Sequence, residues 1–131
     1  MMIDHIWLPV RDYEKSKDFY TVVLSTLDYH LSVNRPDERR AGFGVINQEG
    51  HRDFWIIEDD KEARGSRYCI AFRARNADQV NAFHRYGLAA GGTDNGKPGY
   101  RLHYHSGYYA AFILDPDGYN IEAVYDARFW K

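Results

Sequence analysis

In the first half of this chain, a continuous apolar run is followed by apolar residues at helical spacing, and this change predicts a strand and then a helix. A strand-like run near residues 3–10 leads into a stretch whose apolar residues recur at three- and four-residue steps. This spacing places them on one side of a helix at about 13–27. Asp12 stands before that helix as a good N-cap, because its carboxylate can accept bonds from free backbone N–H groups. Short apolar segments then predict strands near 29–34, 41–46 and 53–58.

The second half repeats the same order at a constant offset, since Phe83 lies 64 residues after Phe19. A strand at 67–74 precedes Asn76, which resembles the start of a capping box, and a helix runs from there to about Ala90. Gly87 inside that helix is unfavourable by about 1 kcal/mol against alanine. The remainder predicts a loop at 93–99, strands near 100–104, 108–114 and 119–125, and a tight Asp-Pro-Asp-Gly turn at 115–118.

The repeat predicts an α+β fold made of two pseudo-symmetric β-α-β-β-β modules, at 1–58 and 67–126, within a single domain spanning 1–131. A polar, charged linker joins them. Two such units side by side would form a curled mixed sheet, a cup with its helices outside and a concave inner face.

Composition narrows the classes of partner. A hydrophobic fraction of 44% with eleven Tyr, seven Phe and three Trp argues against disorder. A net charge of −2 gives no reason to expect nucleic acid or an anionic membrane as partner. The apolar runs are too short to span a bilayer, and the N-terminus shows no signal-peptide pattern. A lone Cys69 cannot form an internal disulfide, which fits a cytoplasmic protein.

Three segments carry a resemblance to a known family: DHIWLPVRDYEKSKDFY at 4–20, CIAFRARNADQVNAFH at 69–84, and YYAAFILDPDGYNIEAVY at 108–125. They look like the vicinal oxygen chelate superfamily, which contains glyoxalase I, extradiol dioxygenases and bleomycin- or fosfomycin-resistance proteins. The resemblance implies a small organic substrate in the concave site, lyase, isomerase or dioxygenase chemistry in metal-dependent members, and a homodimer.

The resemblance also implies where a metal would be held, because family members take one ligand from strand one and one from strand four of each module. These positions are His5, Cys69, Glu122, and a fourth at Trp55 or, after a one-residue shift, at Phe54 or Ile56. Imidazole and carboxylate suit Zn, Ni, Fe or Mn. However, Trp55 cannot ligate a metal, and Cys69 would have to bind as a softer thiolate. These departures argue against glyoxalase I activity and leave the dioxygenase His-His-carboxylate set incomplete.

Each candidate also has a structural explanation. His5 is as well explained by a structural role on its strand as by ligation, and packing is favoured over ligation for Cys69. Glu122 is the best single functional candidate, because a carboxylate within an apolar strand needs a compensating partner. Trp55 fits a cavity wall.

A second cluster follows the Gly-rich loop, at 101–109. His103 and His105 would share one strand face if the run is extended, as a metal pair or as a substrate clamp; the alternative is a half-exposed aromatic hairpin. The predicted substrate contacts are Trp55, Arg101, His103, Tyr104, His105 and Tyr108.

Two functional hypotheses remain from the sequence. In the first, the protein is an enzyme in which Glu122 is a general base or metal ligand and His5 is a ligand. In the second, it is a metal-free module that binds or sequesters a drug-like molecule without catalysis. The sequence leaves open whether the site lies within one chain or is shared across a dimer, and whether Phe129 and Trp130 cover a neighbouring subunit or their own chain.

Overall fold

The computed structural model describes residues 3–45, 52–63 and 69–130. Its elements follow the predicted order of two β-α-β-β-β modules, so the α+β class is confirmed. Module 1 comprises β1 (Ile6–Val10), α1 (Tyr13–Ser25), β2 (Tyr29–Arg35), a short 3₁₀ helix (Pro36–Glu38), β3 (Arg40–Val45) and β4 (Phe54–Glu58). Module 2 comprises β5 (Cys69–Arg73), α2 (Ala77–Ala89), β6 (Thr93–Tyr100), β7 (Tyr108–Leu114) and β8 (Asn120–Asp126). The predicted strand ends at 46 and 67 lie outside the described residues.

Both helices begin where their capping residues predicted. The Asp12 carboxylate accepts a bond from the Lys15 backbone N–H at 3.1 Å. Asn76 accepts one from Gln79 N–H at 2.9 Å, and the Gln79 side chain in turn accepts from Arg75 N–H at 2.8 Å. Each module therefore turns from its first strand into its helix at a fixed residue, which sets the helix against the sheet.

The strands form two four-stranded mixed sheets rather than one closed cup. Sheet 1 has the order β1-β4-β3-β2, and sheet 2 has the equivalent order β5-β8-β7-β6. In each sheet the first and last strands of the module pair in parallel, with Ile6 opposite Phe54 and Ile70 opposite Ile121, while the other pairs are antiparallel. The pseudo-symmetry of the sequence is thus present in the strand register.

One buried core lies between the modules. The two equivalent helix residues, Phe19 and Phe83, are both fully buried, and Phe54 of sheet 1 contacts Phe72 of sheet 2 edge to face at 5.3 Å. Alternation along the strands places the core residues of each sheet on its helix side. The opposite faces are therefore turned away from the shared core. We call them face 1, on sheet 1, and face 2, on sheet 2.

The Asp-Pro-Asp-Gly turn of module 2 is hydrogen-bonded to module 1. Its Asp117 carboxylate accepts bonds from the Arg11 backbone N–H at 3.1 Å and from the Ser16 hydroxyl at 3.4 Å, both at the start of α1. Asp115 accepts the hydroxyl of Tyr20 and two backbone N–H groups of its own turn. The predicted turn of module 2 thus also buries two carboxylates against α1 of module 1.

The segment from 93 to 107 differs from prediction. Residues Thr93–Tyr100 form strand β6 instead of a loop, because this edge strand has one free side and tolerates the glycines and Pro98, with two register shifts along β7. The strand predicted near 100–104 is instead a turn, in which the backbone N–H groups of Tyr104 and His105 both bond to Arg101 O. His103 and His105 therefore do not share a strand face.

Gly87 is explained by close packing of α2 on sheet 2. A Cβ at this buried position would lie 2.3 Å from Cδ1 of Ile113 on β7. The helix accepts the unfavourable propensity of glycine because no side chain fits there. Within the described residues, none of the helices combines the length and apolar character needed to cross a membrane.

Candidate functional site

Glu122 lies on face 2 and is only 5% exposed. The sheet order brings two donors from neighbouring strands to its carboxylate. The Tyr108 hydroxyl donates to Oε2 at 2.6 Å from β7, and the Cys69 thiol donates to Oε1 at 3.6 Å from β5. The compensation that a buried carboxylate requires is therefore supplied by a phenol and a thiol.

Burial governs the protonation of this cluster. It raises the pKa of Glu122, opposed by the hydrogen bonds from Tyr108 and Cys69 and by the charge of Arg101. Burial and the neighbouring Glu122 raise the pKa of the Cys69 thiol to about 11, and the same two causes raise that of Tyr108. Cys69 is thus a thiol donor at neutral pH. A carboxyl group with a raised pKa beside a fixed phenol suits proton transfer.

Arg101 and the aromatic turn flank this carboxylate. The Arg101 guanidinium lies 5.5 Å from the centre of the Phe112 ring and donates to Lys97 O at 2.5 Å, while its Nε is buried without a partner. Phe112 is the register neighbour of Glu122. Arg101 therefore lies over the strand neighbour of Glu122, and its charge lowers the pKa of that carboxyl group.

The other predicted contacts on this side divide into two groups. The Tyr104 ring lies between those of His103 and Tyr108, with centre distances of 4.2 Å and 4.9 Å. Tyr104 therefore contacts Tyr108, the residue that donates to Glu122. His105 accepts the Gly107 backbone N–H on its Nδ1 at 2.9 Å, which ties it into its own turn. Trp55 lies on face 1, on the other sheet.

The C-terminal segment packs on its own chain beside face 2. The indole N–H of Trp130 donates to Ala74 O at 3.0 Å, and the Arg73 guanidinium lies 3.5 Å from the Phe129 ring centre. Both residues thus contact their own chain, and Phe129 and Trp130 remain 54% and 42% exposed.

Face 1 carries a pocket of about 540 Å³ around two stacked tryptophans. Trp7 and Trp55 stack with ring centres 4.8 Å apart and planes 18° from parallel, and the Trp55 indole N–H donates to Arg52 O at 3.1 Å. His5 lies on the rim, where its Nδ1 is 2.7 Å from the Asp4 carboxylate.

Three arginines complete the pocket, Arg35, Arg40 and Arg52. The sequence analysis gives none of the three a role. The available signal was their alternation with the pocket residues along paired strands, as with Arg35 opposite Arg40. Strand register decides which of several surface arginines face one another, and a single sequence does not give that register.

The predicted metal set is not assembled within one chain. Across residues 3–45, 52–63 and 69–130, no group of three or more His, Cys, Asp and Glu side chains is placed to hold a metal ion. His5 belongs to face 1, Cys69 and Glu122 belong to face 2, and the fourth position is filled by the stacked Trp55. With Cys69 protonated as well, the described residues of one chain do not fit a metal centre.

The structure thus consists of two β-α-β-β-β modules, with a cluster of polar side chains on the open face of each sheet. Sequence comparison gives its family. A model of the Glyoxalase/Bleomycin resistance protein/Dioxygenase superfamily matches residues 2–123, so the chain belongs to this family. Members bind small molecules, often dimerise and often use divalent metals. A search of curated proteins finds no significant match.

Solved structures agree on the fold. A glyoxalase/bleomycin resistance protein from Albidiferax ferrireducens T118 is 30% identical, covers 95% of this chain and 99% of its own, and superposes with a TM-score of 0.79. The fosfomycin resistance protein FosX from Mesorhizobium loti is 21% identical, with 92% and 88% coverage and a TM-score of 0.65. FosX from Listeria monocytogenes is 18% identical, with 95% and 93% coverage and a TM-score of 0.69. At these identities the two FosX proteins are similar in fold alone.

Proposed function

We propose that the protein binds a small organic molecule between face 1 of one copy and face 2 of a second copy, with Glu122 as the acid–base group. The observation that carries the proposal is the buried Glu122 carboxyl group on an otherwise open face, held by Tyr108 and Cys69. A fold has no need of a carboxylate there, since it must be desolvated and then compensated.

The orientation of the faces supports a homodimeric site. Both sheets direct their helix sides to one shared core, so face 1 and face 2 of the same chain are turned away from each other. A concave site formed from both faces requires a second copy. A two-fold pair would join face 1 of each copy to face 2 of the other and create two equal sites.

In this site we assign Glu122 to take a proton from a carbon next to a carbonyl group, or to return it. Tyr108 fixes the orientation of that carboxyl group. Arg101 stabilises the oxygen on which negative charge develops, because its guanidinium lies over Phe112 and its positive charge already acts on Glu122. Tyr104, His103 and His105 form the rim of face 2, and Trp55 forms the wall of face 1. The reaction class is a proton-transfer isomerase or lyase.

The test compares wild type with Glu122→Gln, which keeps the shape and removes the charge. Turnover and binding are measured on a panel of dicarbonyls, their thiol adducts and catechols, with chelator and with added Zn, Ni, Fe or Mn. Glu62→Gln on the surface is the matched control. We expect turnover that is lost in Glu122→Gln and kept in the control. Unchanged activity in Glu122→Gln would overturn the assigned role, and tight binding without turnover would instead identify a sequestering module.

A metal-dependent enzyme is the second candidate, favoured by the state of His5. Its Nδ1 is bonded to Asp4, and its Nε2 has no partner among the described residues, which is how metal-ligating histidines are commonly oriented. In a two-copy site, His5 of one chain would be joined by Cys69 and Glu122 of the second. Metal content per chain, measured by mass spectrometry, separates the candidates. Near-stoichiometric metal lost in both His5→Ala and Glu122→Ala supports this one, whereas no metal uptake contradicts it.

A further inference from the structure

We infer that face 1 selects a flat aromatic acid, with its ring on Trp7 and its carboxylate between Arg40 and Arg52. The inference rests on the proposed function and deepens it by naming the chemical class of the ligand. Three features of face 1 carry it: an exposed indole surface, an excess of guanidinium groups, and the position of two of these groups beside the indoles.

The indoles of Trp55 and Trp7 stack on β3, with Trp55 on the inside and Trp7 partly exposed. A Cβ on Gly42 would lie 3.0 Å from three atoms of the Trp55 ring system, so this ring lies flat against bare β3 backbone. Its other side stacks on Trp7. Trp7 itself is 40% exposed, so part of its indole surface is open to solvent. Exposed, flat indole surface favours another flat ring, since aromatic pairs prefer offset stacking.

The pocket is positively charged in a protein whose net charge is −2. Its eight lining residues include three arginines and one acid, Asp4. A second carboxylate, that of Glu38, is shared between two of these arginines, at 2.8 Å from Arg40 Nη2 and 3.6 Å from Arg35 Nη1. Among the described residues, three arginines therefore stand against the two carboxylates of Asp4 and Glu38, and this positive excess attracts an anion.

Two of the guanidinium groups have donors available to that anion. Arg40 lies 5.8 Å from the Trp7 ring centre, and its side chain is 33% exposed. Arg52 donates from Nε to Ser32 Oγ at 3.2 Å and makes no ion pair among the described residues. Guanidinium groups bind planar carboxylates through paired N–H donors, so a carboxylate at the edge of a ring on Trp7 would use both.

The experiment uses 2-naphthoate as probe and the three indole N–H signals in NMR as readout. The volume of about 540 Å³ accommodates a two-ring acid. We expect the signals of Trp7 and Trp55 to shift on titration, while that of Trp130, which is bonded to Ala74 O, stays in place. 2-Naphthylmethanol lacks the charge and acetate lacks the ring, and each should bind at least about tenfold more weakly. Equal binding of the alcohol, or a shift confined to Trp130, would overturn the inference.

Variants locate the contact. Arg52→Gln should weaken 2-naphthoate binding about tenfold, because a charged hydrogen bond is lost. Arg85→Gln is the matched control, since this arginine lies on α2 against Tyr86 at 5.1 Å. Unchanged affinity in Arg52→Gln would contradict the inference.

Failure of the inference is distinguishable from failure of the proposed function. Turnover that depends on Glu122, without 2-naphthoate binding on face 1, refutes the ligand class alone. Binding of 2-naphthoate on face 1, without any role for Glu122, refutes the proposed chemistry and leaves the ligand class standing.

Discussion

Substitution of Gly87 by alanine should destabilise the protein, although alanine is the better helix former. On propensity alone, Gly87→Ala in the middle of α2 would stabilise by about 1 kcal/mol. In the structure, the new Cβ would lie 2.3 Å from Ile113 Cδ1, well inside the 3.5–4.0 Å optimum for carbon contacts. Overpacking of this kind costs about 1–3 kcal/mol. The expected net change is therefore a loss of about 1 kcal/mol.

A double-mutant cycle isolates the contact. Ile113→Val removes the Cδ1 atom and alone costs about 0.5–1.5 kcal/mol. In the Gly87→Ala background the same change removes the overlap, and the new methyl group fills the space. The pair should be close to wild type in stability, with a coupling energy of about 2 kcal/mol. Urea unfolding, followed by circular dichroism, measures all four proteins.

Ile121→Val is the matched control, because Ile121 is equally buried on the neighbouring strand and none of its atoms is among the three nearest to a Cβ at position 87. Its effect should add to that of Gly87→Ala. The reasoning is refuted if Gly87→Ala stabilises the protein by its propensity alone, or if Ile113→Val is simply additive with it.

Three further predictions concern charge and the stacked indoles. Burial raises the pKa of the Asp115 carboxyl group from 3.8 to about 6. Its contribution to stability is therefore present below pH 4 and is lost as the pH rises through 6. Urea unfolding midpoints at pH 4.5 and 7.5 should show this loss in wild type and not in Asp115→Asn. Tyr108→Phe removes a donor that lowers the pKa of Glu122, so a carbon-13 NMR titration should find that pKa higher, and an unchanged value would contradict the reasoning. Gly42→Ala should displace the Trp55 ring, and an unaltered near-ultraviolet dichroism spectrum would show that it does not.

The sequence predicts the modules well because the signals are local. Apolar spacing, the caps at Asp12 and Asn76, and the turn at 115–118 each act within a few residues, and the structure confirms all of them. The prediction for the segment at 93–107 was wrong because it, too, relied on local signals. Its glycines and Pro98 usually indicate a loop, whereas an edge strand paired on one side accepts them.

The candidate site is harder to predict from the sequence, because it depends on the register between strands that are distant in the chain. Glu122 was identifiable as an acid within an apolar strand, and the family resemblance grouped Cys69 with it, yet the hydrogen bonds from Tyr108 and Cys69 to Glu122 follow from the order β5-β8-β7. The arginines of face 1 were missed for the same reason. The separation of the two faces depends on how the modules pack, and no local pattern encodes that packing.

The most direct test of the shared site is an isotope-filtered NOE experiment on a one-to-one mixture of labelled and unlabelled chains. Only contacts between copies give signals in such a spectrum. The proposed arrangement predicts NOEs from Trp7 or His5 of one copy to Tyr108 or Phe112 of the other. If the protein is dimeric without these NOEs, or monomeric at NMR concentrations, face 1 and face 2 do not form one site.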